Sequence, residues 1–408
     1  MLSVLVINSL IIQICPAQDD VKSEITPAAI DARIAEIRMG DMIIKTKPGA
    51  AVKIQQVRHE FKFGTEIGNG IVETEKDTYS PEDRKMYLKT LAENFNFAVH
   101  GNALKWGDCE PEEGKVDYHK ADRIWEICHE LNIPMRGHCI FWEKEEFIMP
   151  WIKKLNNDEL RAAIKRRATG VTEHFKGRIE EFDLNNEMIH GDFYRRRLGS
   201  GIINEMALMA KAGNPDARLT VNDYGIVDIG YNAEAYKIQI KNLLETGVPI
   251  GGIGCQAHAS AHFPVITPPE IVQENLNELA KFNLPIKITE CNFIFDDEKT
   301  QAEQLQKIFP IYFAHPAIEA ILFWGFWAGD HWMPHSALWR KDWTITPQGL
   351  AFRDLVYKKW WTQINNKTDK NGEFKTRAFY GDYEITSNGI TKKVSFGKKD
   401  KTVQVIFN

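Results

Sequence analysis

Beyond its first residues, this 408-residue chain has no apolar run approaching the ~20 residues needed to span a bilayer. That excludes a membrane-spanning segment from the mature chain. Cysteine is scarce: there are six, none in a CxxC pair, so the common structural zinc motifs are missing. Cys139, Cys255 and Cys291 lie inside apolar runs and read as small buried hydrophobes rather than as parts of a disulfide framework. Charge imbalance is also lacking. A formal net charge of -5 and a pI near 6.2 give no general attraction to nucleic acid or to an anionic membrane. Dinucleotide fingerprints, phosphate-binding loops and nucleophile-elbow serines are absent, so no cofactor is expected and the corresponding enzyme classes drop out.

What is present begins with "MLSVLVINSLIIQICPAQ", an apolar run stopped by Pro16, with small residues before Gln18. Residues 1–17 therefore read as a signal peptide, and the mature chain as secreted or periplasmic. From residue 61 onward, eight short apolar runs alternate with charged stretches of helical length, among them "HKADRIWEICHELN". The runs cover 61–68, 95–102, 133–142, 179–187, 218–223, 251–258, 286–292 and 320–326. Eight strand-helix units predict a TIM (β/α)8 barrel over 61–363; a doubly wound open sheet is the alternative that strand count alone leaves standing.

Two segments break this rhythm. Residues 26–60 contain a predicted hairpin around Pro48-Gly49, and 372–408 alternate like several strands punctuated by "SNG" and "GKKD". Neither is long enough for a sandwich of its own, so the two ends are predicted to pair into a small accessory β domain. A linker is expected near "INNKTDKNG", residues 364–372.

Catalytic residues of a parallel barrel stand at the C-terminal ends of its strands. Here those ends carry Asn102 with Lys105 and Trp106, His138 with Trp142, Asn186 with Glu187, Asn222, Gln256 with His258, Glu290, and Trp324 with Trp327. A lone strand-end glutamate is more often a cap or a surface salt-bridge partner. Two of them facing one cavity, among amides, imidazoles and indoles, form the pair that glycoside hydrolysis requires. His258 and His262 share the i, i+4 spacing of a metal pair, but no third ligand stands at a suitable distance, and no metal is expected. "YRRRLG" (194–199) admits two readings: arginines that bind a uronic-acid branch, or a helix start paired with neighbouring charges.

The stretches "GNALKWGDCEPEEGKVDYHKADRI", "RGHCIFW", "FDLNNE", "LTVNDY", "GIGCQAH" and "ITECNF" occur in this order over most of 95–330. Together they resemble the glycoside hydrolase family 10 endo-1,4-beta-xylanases. The resemblance implies that Glu187 is the acid/base and Glu290 the nucleophile of a retaining reaction on xylan or xylo-oligosaccharides. It places Asn186 at the 2-hydroxyl of the cleaved sugar, and Asn102, Lys105, His138 and Trp142 on the glycone side. Gln256 and His258 fall beside the nucleophile, and Trp332 and Trp339 close over the glycone sugars. Gly101 stands where the family has glutamate, removing an acceptor for the second glycone sugar. Glu143 stands where many members have histidine, and is the carboxylate the sequence offers in compensation. Alternatives are a carbohydrate-binding barrel with weak or no catalysis, a hydrolase of a related decorated xylan or β-1,4-glycan, and a metal-dependent barrel hydrolase.

Overall fold

The computed structural model describes residues 17–73, 79–261 and 265–407, so most of the predicted leader and His262 lie outside the described residues. Eight parallel barrel strands follow in chain order: Lys62–Ile67, Phe97–His100, a divided third strand (Met135–Arg136 and Phe141–Trp142), Glu181–Asn186, Arg218–Asp223, Ile250–Ala259, Ile286–Phe293 and Ile318–Phe323. The eighth pairs with the first (Ala320↔Lys62). The two halves of the third pair with the second and fourth respectively (Ala98↔Met135, Phe141↔Asn185), which closes the ring. The predicted TIM barrel is therefore the observed one.

Strands covered on both faces should read as continuous apolar runs, and every residue of Ile286–Phe293 is buried. Intervening helices start at the expected caps. Asn156 and Glu159 form a reciprocal capping box ahead of Asn157–His174, and Ser80 accepts from the Asp83 N–H at the start of Pro81–Asn94. The five described cysteines are buried and form no disulfide, as expected for Cys139, Cys255 and Cys291 from their apolar runs. Among the described residues, no helix is long and apolar enough to cross a membrane.

The N- and C-terminal segments build two further sheets. Met39–Lys45 pairs antiparallel with Glu373–Phe379 and parallel with Thr402–Ile406. Ala51–His59 pairs with Gln363–Lys367 and Gly381–Ser387, and the latter with Ile390–Phe396. Met42 and Ile44 from one sheet, and Ile54, Tyr383 and Ile385 from the other, form their common core. The expected hairpin around Pro48-Gly49 is not formed, because its two strands lie in different sheets. In a hairpin the buried faces of Met42/Ile44 and Val52/Ile54 would lie side by side and need another cover. Divided between facing sheets, they cover each other.

Two more expectations are corrected. Residues 26–60 are not β throughout, since Pro27–Arg38 is a helix capped by Thr26 with proline at its start. Ile30 and Ile34 bury it against the barrel, and Arg38 donates to the carbonyls of Phe313, His315 and Ile318. The linker read at 364–372 begins as strand Gln363–Lys367. Its polarity is that of an edge strand, largely exposed and paired on one side.

Inside the barrel, Glu181 accepts from Arg136 Nε at 3.0 Å and contacts Lys287 and Arg218, which also pair with Glu319. Burial alone would raise the Glu181 carboxyl, but Lys287, Arg136 and Arg218 outweigh it and hold it at about 2, below its ordinary 4.5. A depressed folded pKa contributes stability above the unfolded value and loses it as pH falls through the folded one. Urea midpoints should therefore decline between about pH 5 and pH 2. Glu181→Gln should flatten part of that slope and cost about 3 to 5 kcal/mol at neutral pH by leaving buried cations unpaired.

Candidate active site

The strand ends converge on one cleft of about 280 Å³. Glu187 follows the fourth strand with a left-handed backbone (φ 56°), its N–H donating to the Asn222 carbonyl at 2.8 Å. Such a backbone is uncommon for a residue with a side chain and is held by its surroundings. Trp142 Nε1 donates to Glu187 Oε2, and Asn186 Nδ2 and Gln256 Nε2 donate to Oε1, each at 3.1 Å. Lys144 Nζ lies 3.5 Å from Oε2.

Glu290, on the seventh strand, receives Asn222 Nδ2 on Oε1 at 2.9 Å and faces His258 Nε2 across 3.1 Å from Oε2. Burial alone would raise its pKa. The His258 hydrogen bond, the charges of His138 and His258, and the Asn222 amide outweigh burial and lower it, so Glu290 is held ionised. Asn222 Nδ2 also donates to Asn186 Oδ1 at 2.9 Å, linking the settings of the two glutamates through one amide. The other ring nitrogen of His258 faces Asn292 Oδ1 at 3.0 Å, and Trp332 Nε1 donates to the same oxygen at 3.2 Å.

Lys105 donates to Asn102 Oδ1 at 2.7 Å and lies 4.6 Å from the centre of the Trp142 ring. His138 Nδ1 bonds to Asp183 Oδ2 at 2.7 Å, and its ring meets Trp324 edge-on. The structure thus gathers Glu187, Glu290, Lys105, His138, Trp142, Asn186, Gln256, His258 and Trp332 around one cavity, with Asn102 at its edge. Trp332 is 45% exposed and presents an indole to the opening.

Trp339 does not belong to this set. It is 6% exposed and packs on Phe95 and Phe326, because its N–H bonds to the Phe326 carbonyl and turns the loop's return leg into the core. Trp324, at the end of the eighth strand, lines the cleft in its place. Glu143 is also displaced from the role offered to it. It is fully buried and accepts from Arg195 Nε at 3.0 Å; burial, only partly offset by Arg195, pushes its carboxyl up to about 7. All three arginines of "YRRRLG" have protein partners: Arg195 on Glu143, Arg196 on Asp192 and Glu145, and Arg197 on Asn157 and the Leu155 carbonyl. The charge-paired reading of that segment holds.

Residues not foreseen in the sequence also line the cleft. Tyr224 stacks on His190 with ring centres 3.8 Å apart, Phe147 stacks on Trp142 at 3.6 Å, and Lys144 approaches Glu187. Tyr224 lies two residues past the strand-end Asn222, and its proximity to the rim was the available signal. Phe147 sits in an acidic loop that carries none. Among the described residues, no group of three or more His, Cys, Asp or Glu is placed to hold a metal ion.

A closed (β/α)8 barrel that brings a glutamate from the end of its fourth strand and another from its seventh to one aromatic, amide-lined cleft is the architecture that carboxylate-dependent glycoside hydrolysis requires. Residues 55–354 match the profile of glycosyl hydrolase family 10, and the chain belongs to that family. It is 35% identical over 387 residues to endo-1,4-beta-xylanase 1 of Arabidopsis thaliana, covering 91% of this chain and 39% of that protein. It is likewise 35% identical over 362 residues to the anti-sigma-I factor RsgI6 of Acetivibrio thermocellus, covering 87% of this chain and 45% of that one. The chain therefore spans less than half the length of these curated relatives. The crystal structure of native xylanase 10B from Thermotoga maritima superposes with a TM-score of 0.65 at 27% identity, over 74% of this chain and 96% of that one. Xylanase 10B from Thermotoga petrophila, solved in complex with xylobiose, matches with the same scores and coverage of 74% and 95%.

Because His258 is the foremost group lowering Glu290, His258→Ala should raise the pKa of that carboxyl. Carboxyl-¹³C NMR titration of glutamate-labelled protein should show one resonance moving its midpoint to higher pH, and Glu290→Gln should identify it by its disappearance.

Proposed function

We propose that this chain hydrolyses β-1,4-xylosidic bonds within xylan, with retention of anomeric configuration, and that its apolar leader directs it out of the cytoplasm. The observation that carries the reading is the contrast between the two glutamates. Glu290 is held ionised by His258, as a nucleophile must be, while Glu187 is oriented by Trp142 from the third strand and Gln256 from the sixth. Relatives named as endo-1,4-beta-xylanases and a neighbour crystallised with xylobiose supply the substrate class.

In the first step a Glu290 oxygen bonds to the anomeric carbon as the glycosidic C–O bond breaks, and Glu187 gives its proton to the departing oxygen. In the second, Glu187 takes a proton from water, whose oxygen displaces Glu290 from the same carbon. Asn186, which donates to Glu187 and accepts from the Asn222 amide that also holds Glu290, binds the 2-hydroxyl of the reacting sugar. Trp142, Trp324, Trp332 and Tyr224 offer ring faces for sugars to either side.

A second reading, carbohydrate sensing without turnover, is favoured by the likeness to a protein named as an anti-sigma factor. A reducing-sugar assay on xylan separates the two. Hydrolysis with the β-anomer appearing first by ¹H NMR supports the retaining xylanase, and initial release of the α-anomer overturns it. Glu290→Gln should abolish turnover. Glu187→Ala should lose most activity on xylan but retain more on aryl xylosides, whose leaving groups need no proton.

A further inference from the structure

A second chamber, about 490 Å³, opens beside the catalytic cleft and shares Trp324 and Trp332 with it. Its wall includes Glu66 from the end of the first barrel strand, Asn102 and Asp330. Glu66 is in register with Val99, and the Gly101 N–H just beyond donates to the Ile67 carbonyl at 3.1 Å. Gly101 has a specific consequence here: a Cβ at that position would overlap Glu66 Oε1. The Glu66 carboxyl therefore fills the space into which a side chain from the second strand would otherwise project.

Other features fit a sugar in this chamber. Among the described residues, none donates a hydrogen bond to the Glu66 carboxyl, although Asp330 beside it receives the Tyr79 hydroxyl at 2.7 Å. Burial first, and the Asp330 charge second, push the Glu66 carboxyl up to about 8. Near neutral pH it carries its proton, and so can both donate and accept. That suits the vicinal hydroxyls of a neutral sugar, while Trp332 and Trp324 offer apolar surfaces at the chamber mouth.

We infer that Glu66 is a specificity-determining residue, hydrogen-bonding the hydroxyls of a neutral pyranose one unit beyond the reacting sugar on the glycone side. The inference rests on the hydrolase reading above. It assigns to the first barrel strand a contact that Gly101 removes from the second.

The test compares 4-nitrophenyl β-xyloside, whose one sugar stops at the reacting position, with 4-nitrophenyl β-xylobioside, whose second sugar reaches the chamber. Glu66→Ala should lower kcat/KM on the xylobioside by about tenfold, mainly through KM, the effect of losing about one hydrogen bond. It should leave the xyloside within about twofold. Glu66→Gln, which also donates and accepts, should restore most of the xylobioside activity. Equal losses on both substrates, or no loss on either, would overturn the inference and leave the hydrolase reading intact. A wild type that cleaves neither substrate overturns both.

Discussion

The seam between the third and fourth barrel strands is the constraint on which the cleft depends. The third strand is divided, and between its halves Gly137 joins it to the fourth strand, its N–H donating to the Glu181 carbonyl at 2.8 Å and its carbonyl accepting from Asp183 at 3.0 Å. A side chain at Gly137 would collide with the Phe182 ring, so the seam admits little else at that position. Above it, Phe141↔Asn185 and Trp142↔Asn186 bring the third strand's last residues level with Glu187. A shift of one residue there would move Trp142 away from Glu187 and turn His138 from its carboxylate partner.

The same seam organises charge. Arg136 reaches both Glu181 and Asp183 from the third strand, and Asp183 uses its second oxygen to hold His138. His138 then contributes positive potential that favours the ionised form of Glu290. The buried charges of the barrel floor and Glu290 at its rim are thus joined through one aspartate. Removing charge from such a network strands its partners in a medium that solvates them poorly, which makes the floor and the rim of the cleft interdependent.

Much of this was legible in the sequence, because it rests on patterns that one strand carries alone. Apolar runs ending in polar or aromatic residues mark barrel strands and the rim they reach, and the convergence of Glu187, Glu290, Gln256 and His258 on one cleft follows from that rule. What was not legible depends on how separate segments meet. The hairpin at Pro48-Gly49 was a sound local inference, but the C-terminal strands offered both of its strands other partners. Trp339 has the same composition signal as Trp332, and only the path of the loop sends one to solvent and the other to the core. Helix Pro27–Arg38 did carry a signal, threonine followed by proline, that the neighbouring β pattern obscured.

Glu143 and Glu66 show why motif position and chemical position can part company. Glu143 adjoins Trp142 in sequence, yet its side chain leaves the cleft for Arg195, whose guanidinium also holds the carbonyls of Met188 and Gly191 in the loop after Glu187. Its carboxyl thereby braces the loop after Glu187 from behind. Glu66 lies outside the motifs by which the family was read, yet parallel pairing of the first and second strands sets it beside the empty side-chain position of Gly101. A cleft rimmed by eight strands can receive the same functional group from either of two neighbours, since adjacent strands stand about 4.8 Å apart and a glutamate side chain spans that distance. Which strand supplies the group is then a question of register and free volume, and a glycine on one strand is informative when its neighbour ends in a carboxylate.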